Sequence, residues 1–337
     1  MSATWQLVGI DVSAKTFHLS LDHAGQQVRK QLPNTPAGHR RLLTLLRRQG
    51  VPARVALEAT GTYYLDLALA LATTPDVEVM VVNPRSLRHY GQATGARAKT
   101  DPIDADLIVD FLRRMPFEPW RPPSRLQLDL LALSRRISQL VDQRSEERNR
   151  LHATRAAHCL PEAVRQDLRH HIAQLDERIA QLRQQTLVLI HSDARLQRRY
   201  ELLLTVPGIA TVSAIALLAE IDRLPDGLSA RQWVASAGLD PRIAESGQRR
   251  ARAHISRAGN AHLRRALYMP VLVATRRQAH FRAFYERLVE RGKPKRVAQI
   301  AAMRKLLHAL YGILKNDLPF DPLLLFPSPP FKQAART

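Results

Sequence analysis

The chain of 337 residues has one cysteine, Cys159. That excludes a disulfide framework and a cysteine-based zinc site, and it fits a reducing compartment. The opening residues, MSATWQLVGIDVS, have no basic stretch followed by an apolar one, so no secretory signal is expected there. Acidic residues are scarce: 30 Asp and Glu stand against 51 Lys and Arg, a formal net charge of +21. Between Arg231 and Lys315 the imbalance sharpens to 19 cations against 4 acids (Asp240, Glu245, Glu286 and Glu290). Such clustering is an electrostatic footprint for nucleic acid. Long apolar runs are lacking too. Leu202 to Ala219 carries no charge, but Pro207-Gly208 interrupts it and Thr205, Thr211 and Ser213 add polarity. That pattern predicts two short helices around a turn rather than a membrane span. No internal repeat of fixed period is present.

What is present begins with alternating strand and helix signals. Gln6–Asp11 is an apolar run, Thr16–Leu21 alternates, and Gln27–Gln31 is a weaker third strand. Thr35 and Pro36 open a helix as N-cap and first helical residue, and Gly50 stops it. Val55–Glu58 reads as a fourth strand, Tyr63–Ala72 as a helix, Val77–Val82 as a fifth strand ended by Asn83-Pro84, and a further helix starts near Asp101. Three meandering strands followed by alternating elements predict a mixed α/β sheet flanked by helices, the element order of the ribonuclease H fold.

On that sheet four acids gain meaning. Asp11, a lone charge in VGIDVS, falls on the first strand, and Glu58 closes VALE on the fourth. Asp101 and Asp104 begin the last helix. Carboxylates distant in sequence that meet on one sheet can hold Mg²⁺ against a phosphate, and Mg²⁺ takes hard oxygen ligands. The pair Asp101-Pro-Ile-Asp104 also suits a plain helix start, with Asp101 as N-cap. That reading does not account for Asp11 or Glu58, because a carboxylate closing a core strand is costly without a cation or donor. Lys15, Lys99 and Thr100 flank the acids and suit either phosphate contact or open solvent.

Beyond the connector Trp120–Pro123 lie two heptad tracts, Leu126–Leu140 and Leu168–Leu189, separated by Pro161. Their spacing fits an antiparallel helical hairpin or a coiled coil between two chains, with self-association somewhat favoured. Leu204–Ala210, around Pro207-Gly208, resembles a helix-hairpin-helix turn that offers backbone N–H groups to a phosphate; Ala210 stands where a second glycine is usual, and a plain helical turn fits equally. Ser246 precedes Gly247 and is followed by Arg249, Arg250 and Arg252. A serine among guanidinium groups can attack a phosphodiester, although on chemistry alone a Ser-Gly pair reads first as a turn. In His254–Arg265 the side chains of Arg257, Asn260, Arg264 and Arg265 suit phosphate contact. His254 and His262 have no acidic or cysteine neighbour that would make them metal ligands. The region from about Leu202 to Leu318 is expected to be mostly helical, and the Pro-rich tail extended.

Taken in order, GIDVS, LEATGTY, VNP, AKTDPIDA, the Pro-Gly-Ile turn, AGLDPRIAESG, ISRAGNAHLRRALYMP and MRKLLHALYGILK resemble the DEDD transposases of bacterial insertion sequences, described as bridge-RNA-guided recombinases. The resemblance spans about Val8 to Phe320. It implies a RuvC-like domain over residues 1–118, a helical coiled-coil linker over 119–195, a mostly α-helical transposase domain over 196–320, and a tail over 321–337. It matches the acidic quartet to Asp11, Glu58, Asp101 and Asp104 and the nucleophile to Ser246. It further implies Mg²⁺, with two ions per composite site, donor and target DNA, and a structured guide RNA. The assembly it implies is a homodimer pairing into a tetramer at the nucleoid of a bacterial cytoplasm.

Overall fold

A computed structural model describes residues 5–23, 25–95, 101–154, 161–242, 245–246, 249–250 and 254–326; at 101–103, 245–246 and 249–250 the backbone alone is described. The chain forms two compact units, Met1–Pro122 and Pro123–Thr337.

The first unit runs β1 (Gln6–Val12), β2 (Thr16–His23), β3 (Gln26–Pro33), α1 (Pro36–Arg47), β4 (Ala53–Glu58), α2 (Leu65–Ala72), β5 (Val77–Val82), α3 (Pro84–Ala93) and α4 (Asp101–Arg114). Its strands lie in the order β3-β2-β1-β4-β5. The meander β1-β2-β3 is antiparallel, whereas β4 runs parallel to β1 and β5 parallel to β4. This is the ribonuclease-H-like arrangement expected from the element order. Strand alternation divides the side chains into two layers. Val8, Ile10, Phe17, Leu19, Val55 and Leu57 pack with Leu42 of α1 and Leu67 of α2. Ala56, Met80 and Val82 pack with Leu87 of α3 and Ile108, Phe111 and Leu112 of α4.

Local signals operate as expected at α1, where Thr35 caps by accepting from the Gly38 amide and Pro36 comes next. The same chemistry builds α3, a helix the sequence reading passed over. Asn83 accepts from the Arg85 amide and Pro84 occupies the first turn, so the pair that ends β5 also starts the next helix.

The second unit begins with α5 (Arg125–Thr154) and α6 (Glu162–His191). They form an antiparallel hairpin within the chain: Ile137 and Leu140 pack with Leu175 and Ile179, and Asp176 accepts from Arg144 and Arg148. Of the two arrangements the heptads allow, the intrachain one occupies these seams. The root of the hairpin is continuous with the helices that complete the unit, because Leu130 and Ile190 belong to their core. Those helices are α7 (Ala194–Leu204), α8 (Thr211–Ile221), α9 (Ala230–Ser236), α10 (Ala261–Arg277), α11 (Ala279–Glu290), α12 (Lys295–Asn316) and α13 (Pro322–Leu325). Between α9 and α10 lie four two-residue strands: β6 (Pro241–Arg242), β7 (Glu245–Ser246), β8 (Arg249–Arg250) and β9 (His254–Ile255). The uncharged stretch 202–219 is the end of α7, a turn and most of α8. Gly208, at φ +92°, lets that turn approach α10 so closely that a Cβ would stand 2.4 Å from the Pro270 carbonyl oxygen. Among the described residues no helix is long and apolar enough to cross a membrane.

Candidate active site

The site grows from one glycine. A Cβ on Gly9 would meet the Ala105 carbonyl oxygen at 2.3 Å and the Val109 nitrogen at 2.7 Å, so α4 lies directly on β1 at this point. Alternation then puts Asp11, two residues on, on the same face as Gly9. The register of β1 and β4 pairs Ile10 with Leu57. One residue beyond that pair stand Asp11 and Glu58, at the C-terminal ends of adjacent parallel strands. Ala56 packs under α4, so Glu58 also falls on the α4 face. Asp104 precedes Ala105 by one residue and Ile108 by four, which places it on the sheet-facing side of the first turns of α4. Asp11, Glu58 and Asp104 are each half-buried. The fold therefore brings these three to one end of one sheet face. The backbone of Asp101 begins α4, three residues before Asp104 and hence on the same side of the helix; its side chain lies outside the described residues.

Carboxylate oxygens are the donors a hard divalent cation takes, and Mg²⁺ keeps several waters, so few protein ligands are needed. In donor type the set suits such an ion. Among the described residues, no three His, Cys, Asp or Glu side chains stand close enough to hold one metal together. His18 faces Asp11 directly across the β1–β2 ladder. Other acids of α4 are taken up at the sheet margin: Asp106 accepts from Arg29 and Gln27, and Asp110 from Tyr90 and Arg114.

Ser246 occupies a different setting. It pairs with Arg249, and Glu245 with Arg250, while Pro241 and Arg242 pair with Ile255 and His254. These are two separate two-residue ladders, with Ser246 opposite Arg249 in the inner one. Two residues separate the ladders on the outgoing side and three on the returning side, so the register shifts by one between them. Lys99 and Arg252 lie outside the described residues, as do the side chains of Ser246, Arg249 and Arg250.

Three of the residues expected to touch nucleic acid have partners inside the protein. Asn260 caps α10, accepting from the His262 and Leu263 amides, and donates at 2.6 Å to Glu220. Arg264 donates to the Ala237 carbonyl at 2.9 Å. Arg265 pairs with Asp142 of α5, raising its own pKa and holding the Asp142 carboxyl below the usual carboxylate range. Arg257 stands at φ +51°, its amide bonded to the Gly238 carbonyl. Sequence reasoning missed Glu220 and Asp222. Both are buried acids that gather Arg135, Asn260, Gln127 and Arg195. Their signal was two acids closing the uncharged stretch that ends at Ala219.

Comparison with known proteins decides the family. Residues 8–159 match a model described as an IS110 DEDD transposase, and residues 200–286 one described as a transposase of the IS116/IS110/IS902 family. The pilin gene-inverting protein of Moraxella bovis is 31% identical over 326 residues, covering 95% of this chain and 98% of that protein. The chain belongs to the IS110 family of DEDD transposases. It is thus an enzyme that cuts and rejoins DNA, of a ribonuclease-H-like class that generally uses divalent metal ions. The transposase for insertion sequence element IS1328 of Yersinia enterocolitica is 26% identical, covering 77% of this chain and 81% of that one. Thermus thermophilus RuvC in complex with a Holliday junction substrate aligns over 34% of this chain and 99% of its own, at 16% identity and a TM-score of 0.28. That overlay is too loose to argue from. The ribonuclease-H-like assignment rests on strand order and direction.

Proposed function

We propose that this IS110-family transposase is an RNA-guided, site-specific recombinase that uses Mg²⁺ at its acidic quartet and Ser246 as nucleophile. The observation that carries the reading is the ending of Asp11 and Glu58 on adjacent parallel strands, on the face covered by α4. Asp11, Glu58, Asp101 and Asp104 would hold the metal, which when bound offsets charge on the scissile phosphate. The Ser246 Oγ attacks the phosphorus. An Oγ–P bond forms as the P–O bond of the cut strand breaks, and the leaving oxygen takes up a proton while the serine gives one to solvent. A hydroxyl of the partner strand then attacks the same phosphorus and releases the serine. One phosphodiester replaces another, so bond energy is conserved. Arg249 and Arg250, on the strand paired with that of the nucleophile, would supply guanidinium groups to the phosphate.

The partners in this reading are donor and target DNA, a structured RNA of the element, and further copies of the chain that form a dimer and then a tetramer, in the bacterial cytoplasm at the nucleoid. The inverting activity in the name of the Moraxella bovis relative is the same class of strand exchange. The test is a denaturing gel of labelled DNA before and after protease digestion. A slow band that protease collapses, absent for Ser246→Ala, is expected. Free ends without an adduct, made equally by the variant, would instead mean a RuvC-type nuclease using metal-activated water.

A further inference from the structure

The turn after Glu58 carries an aromatic ring with no role in the chemistry above. Tyr63 is 52% exposed, and among the described residues of the first unit it is the one Phe, Tyr or Trp side chain standing open to solvent. Phe17 and Phe111 are buried in the two layers of the sheet, and Tyr64, the next residue, packs on the α1–α2 layer. The ring of Tyr63 lies back over Gly61, whose φ is +59°; a Cβ there would stand 3.8 Å from the ring. One edge of the ring thus lies near the turn.

The turn itself is fastened. Asn34, just before α1, donates from Nδ2 to the Ser13 carbonyl at 3.0 Å and to the Tyr63 carbonyl at 3.0 Å. Its Oδ1 meets His39 Nε2 at 2.8 Å, and His39 is 7% exposed and packed on Phe17. Ser13 is two residues past Asp11, and Tyr63 five past Glu58. One amide group therefore ties together the loops that leave the two strand-end carboxylates. The Ala59 amide, bonded to the Val82 carbonyl at 3.0 Å, anchors the other end of the turn.

The backbone that carries this exposed ring is held in place by Asn34. Every nucleobase has a flat π-face, and stacking on an aromatic side chain is sequence-tolerant. We infer that Tyr63 is a stacking platform for an unpaired nucleobase beside the acidic site, and that Asn34 is the positioning residue that holds the platform in register with Asp11 and Glu58. The inference rests on the acidic face being the DNA site. It adds the element that seats the nucleotide next to the scissile phosphate, a task the carboxylates cannot perform because they repel the phosphate in the absence of metal.

The test uses the full chain, a single-stranded thymidine oligonucleotide containing one 5-iododeoxyuridine, long-wave ultraviolet light, and a metal-free buffer. That photoprobe couples to an aromatic ring against which it is stacked. The adduct is expected on Tyr63 by peptide mass spectrometry. Tyr63→Phe should retain it, and Tyr63→Ala should lower its yield about tenfold or more while binding by the rest of the basic surface persists. Asn34→Asp, which removes both donated bonds at nearly constant size, should lower the Tyr63 adduct; wild-type yield there would overturn Asn34's positioning role. Asp11→Ala should leave the adduct unchanged, so loss of cleavage and loss of stacking are separate readouts. Adducts confined to other peptides, or equal yield from Tyr63→Ala, would overturn the platform.

Discussion

The two units handle charge in opposite ways. In the first, ion pairs such as Arg29–Asp106 and Arg113–Asp22 lie at the sheet margin, and the remaining carboxylates of note sit half-buried at strand and helix ends. In the second, which carries the basic stretch Arg231–Lys315, two acids are buried among the helices. Glu220 is 3% exposed and accepts from Arg135 of α5 and from Asn260, the cap of α10. Asp222 is 7% exposed and accepts from Gln127 of α5 and Arg195 of α7. A buried carboxylate met by guanidinium and amide donors is a structural anchor, whereas Asp11, Glu58 and Asp104 share one end of a sheet face. The difference teaches that the position of an acid on its element, as well as its depth, decides what it meets.

The sharpest way to break this contrast is at the strand ends. Asp11→Asn or Asp104→Asn should reduce DNA cleavage by at least about a thousandfold, as chelation of metal should, because charge at the phosphate would go uncompensated. Thermal melting and DNA binding should stay near wild type. Cleavage that survives either change, or survives EDTA, would rule out the metal site.

A smaller but still large effect is expected beneath that site. Gly9→Ala sets a methyl group against the α4 backbone and should cost about 3 kcal/mol, with cleavage falling because Asp104 rides on the displaced helix. Gly312→Ala in α12 meets nothing within 4 Å and serves as the control, with a gain of about 0.5–1 kcal/mol. Equal melting temperatures for the two variants would show that α4 does not rest on β1 as described.

In the second unit, Glu220→Ala should destabilise by about 3 kcal/mol, since Arg135 and Asn260 lose their shared acceptor. Urea denaturation measures it. If the variant is as stable as wild type, the buried acids are not anchors and the contrast between the units fails.

The smallest expected effect is a pH dependence of the first unit. Burial pushes the His39 imidazole below its ordinary value, only partly opposed by Asp66. The unfolded chain then takes up the proton before the folded one. The contribution of His39 is complete above about pH 6.5 and is lost as pH falls through the lower folded value. Melting temperature should drop on acidification more for wild type than for His39→Gln; parallel curves would contradict it.

Alternation and caps placed β1, β4, β5 and α1 from the sequence, because strand period and N-cap chemistry are local. Asp11 and Glu58 stood out because a charge closing an apolar strand has no local explanation. Less was readable where partners come from afar. The heptads of α5 and α6 have the same spacing whether their mates lie in one chain or two, and only the packing of Ile137 and Leu140 on Leu175 and Ile179 selects the hairpin. The intrachain acceptors of Asn260, Arg264 and Arg265, namely Glu220, Ala237 and Asp142, could not be read because they are 40, 27 and 123 residues away.

By itself, then, the sequence determined the element order, the basic character and the identity of the acids, since periodicity, composition and capping act over a few residues. Tertiary structure alone decided which acids share a face, which arginines are already paired, and that Gly9 must be a glycine. Those outcomes depend on strand register and helix docking, which join residues that carry no mark of one another along the chain.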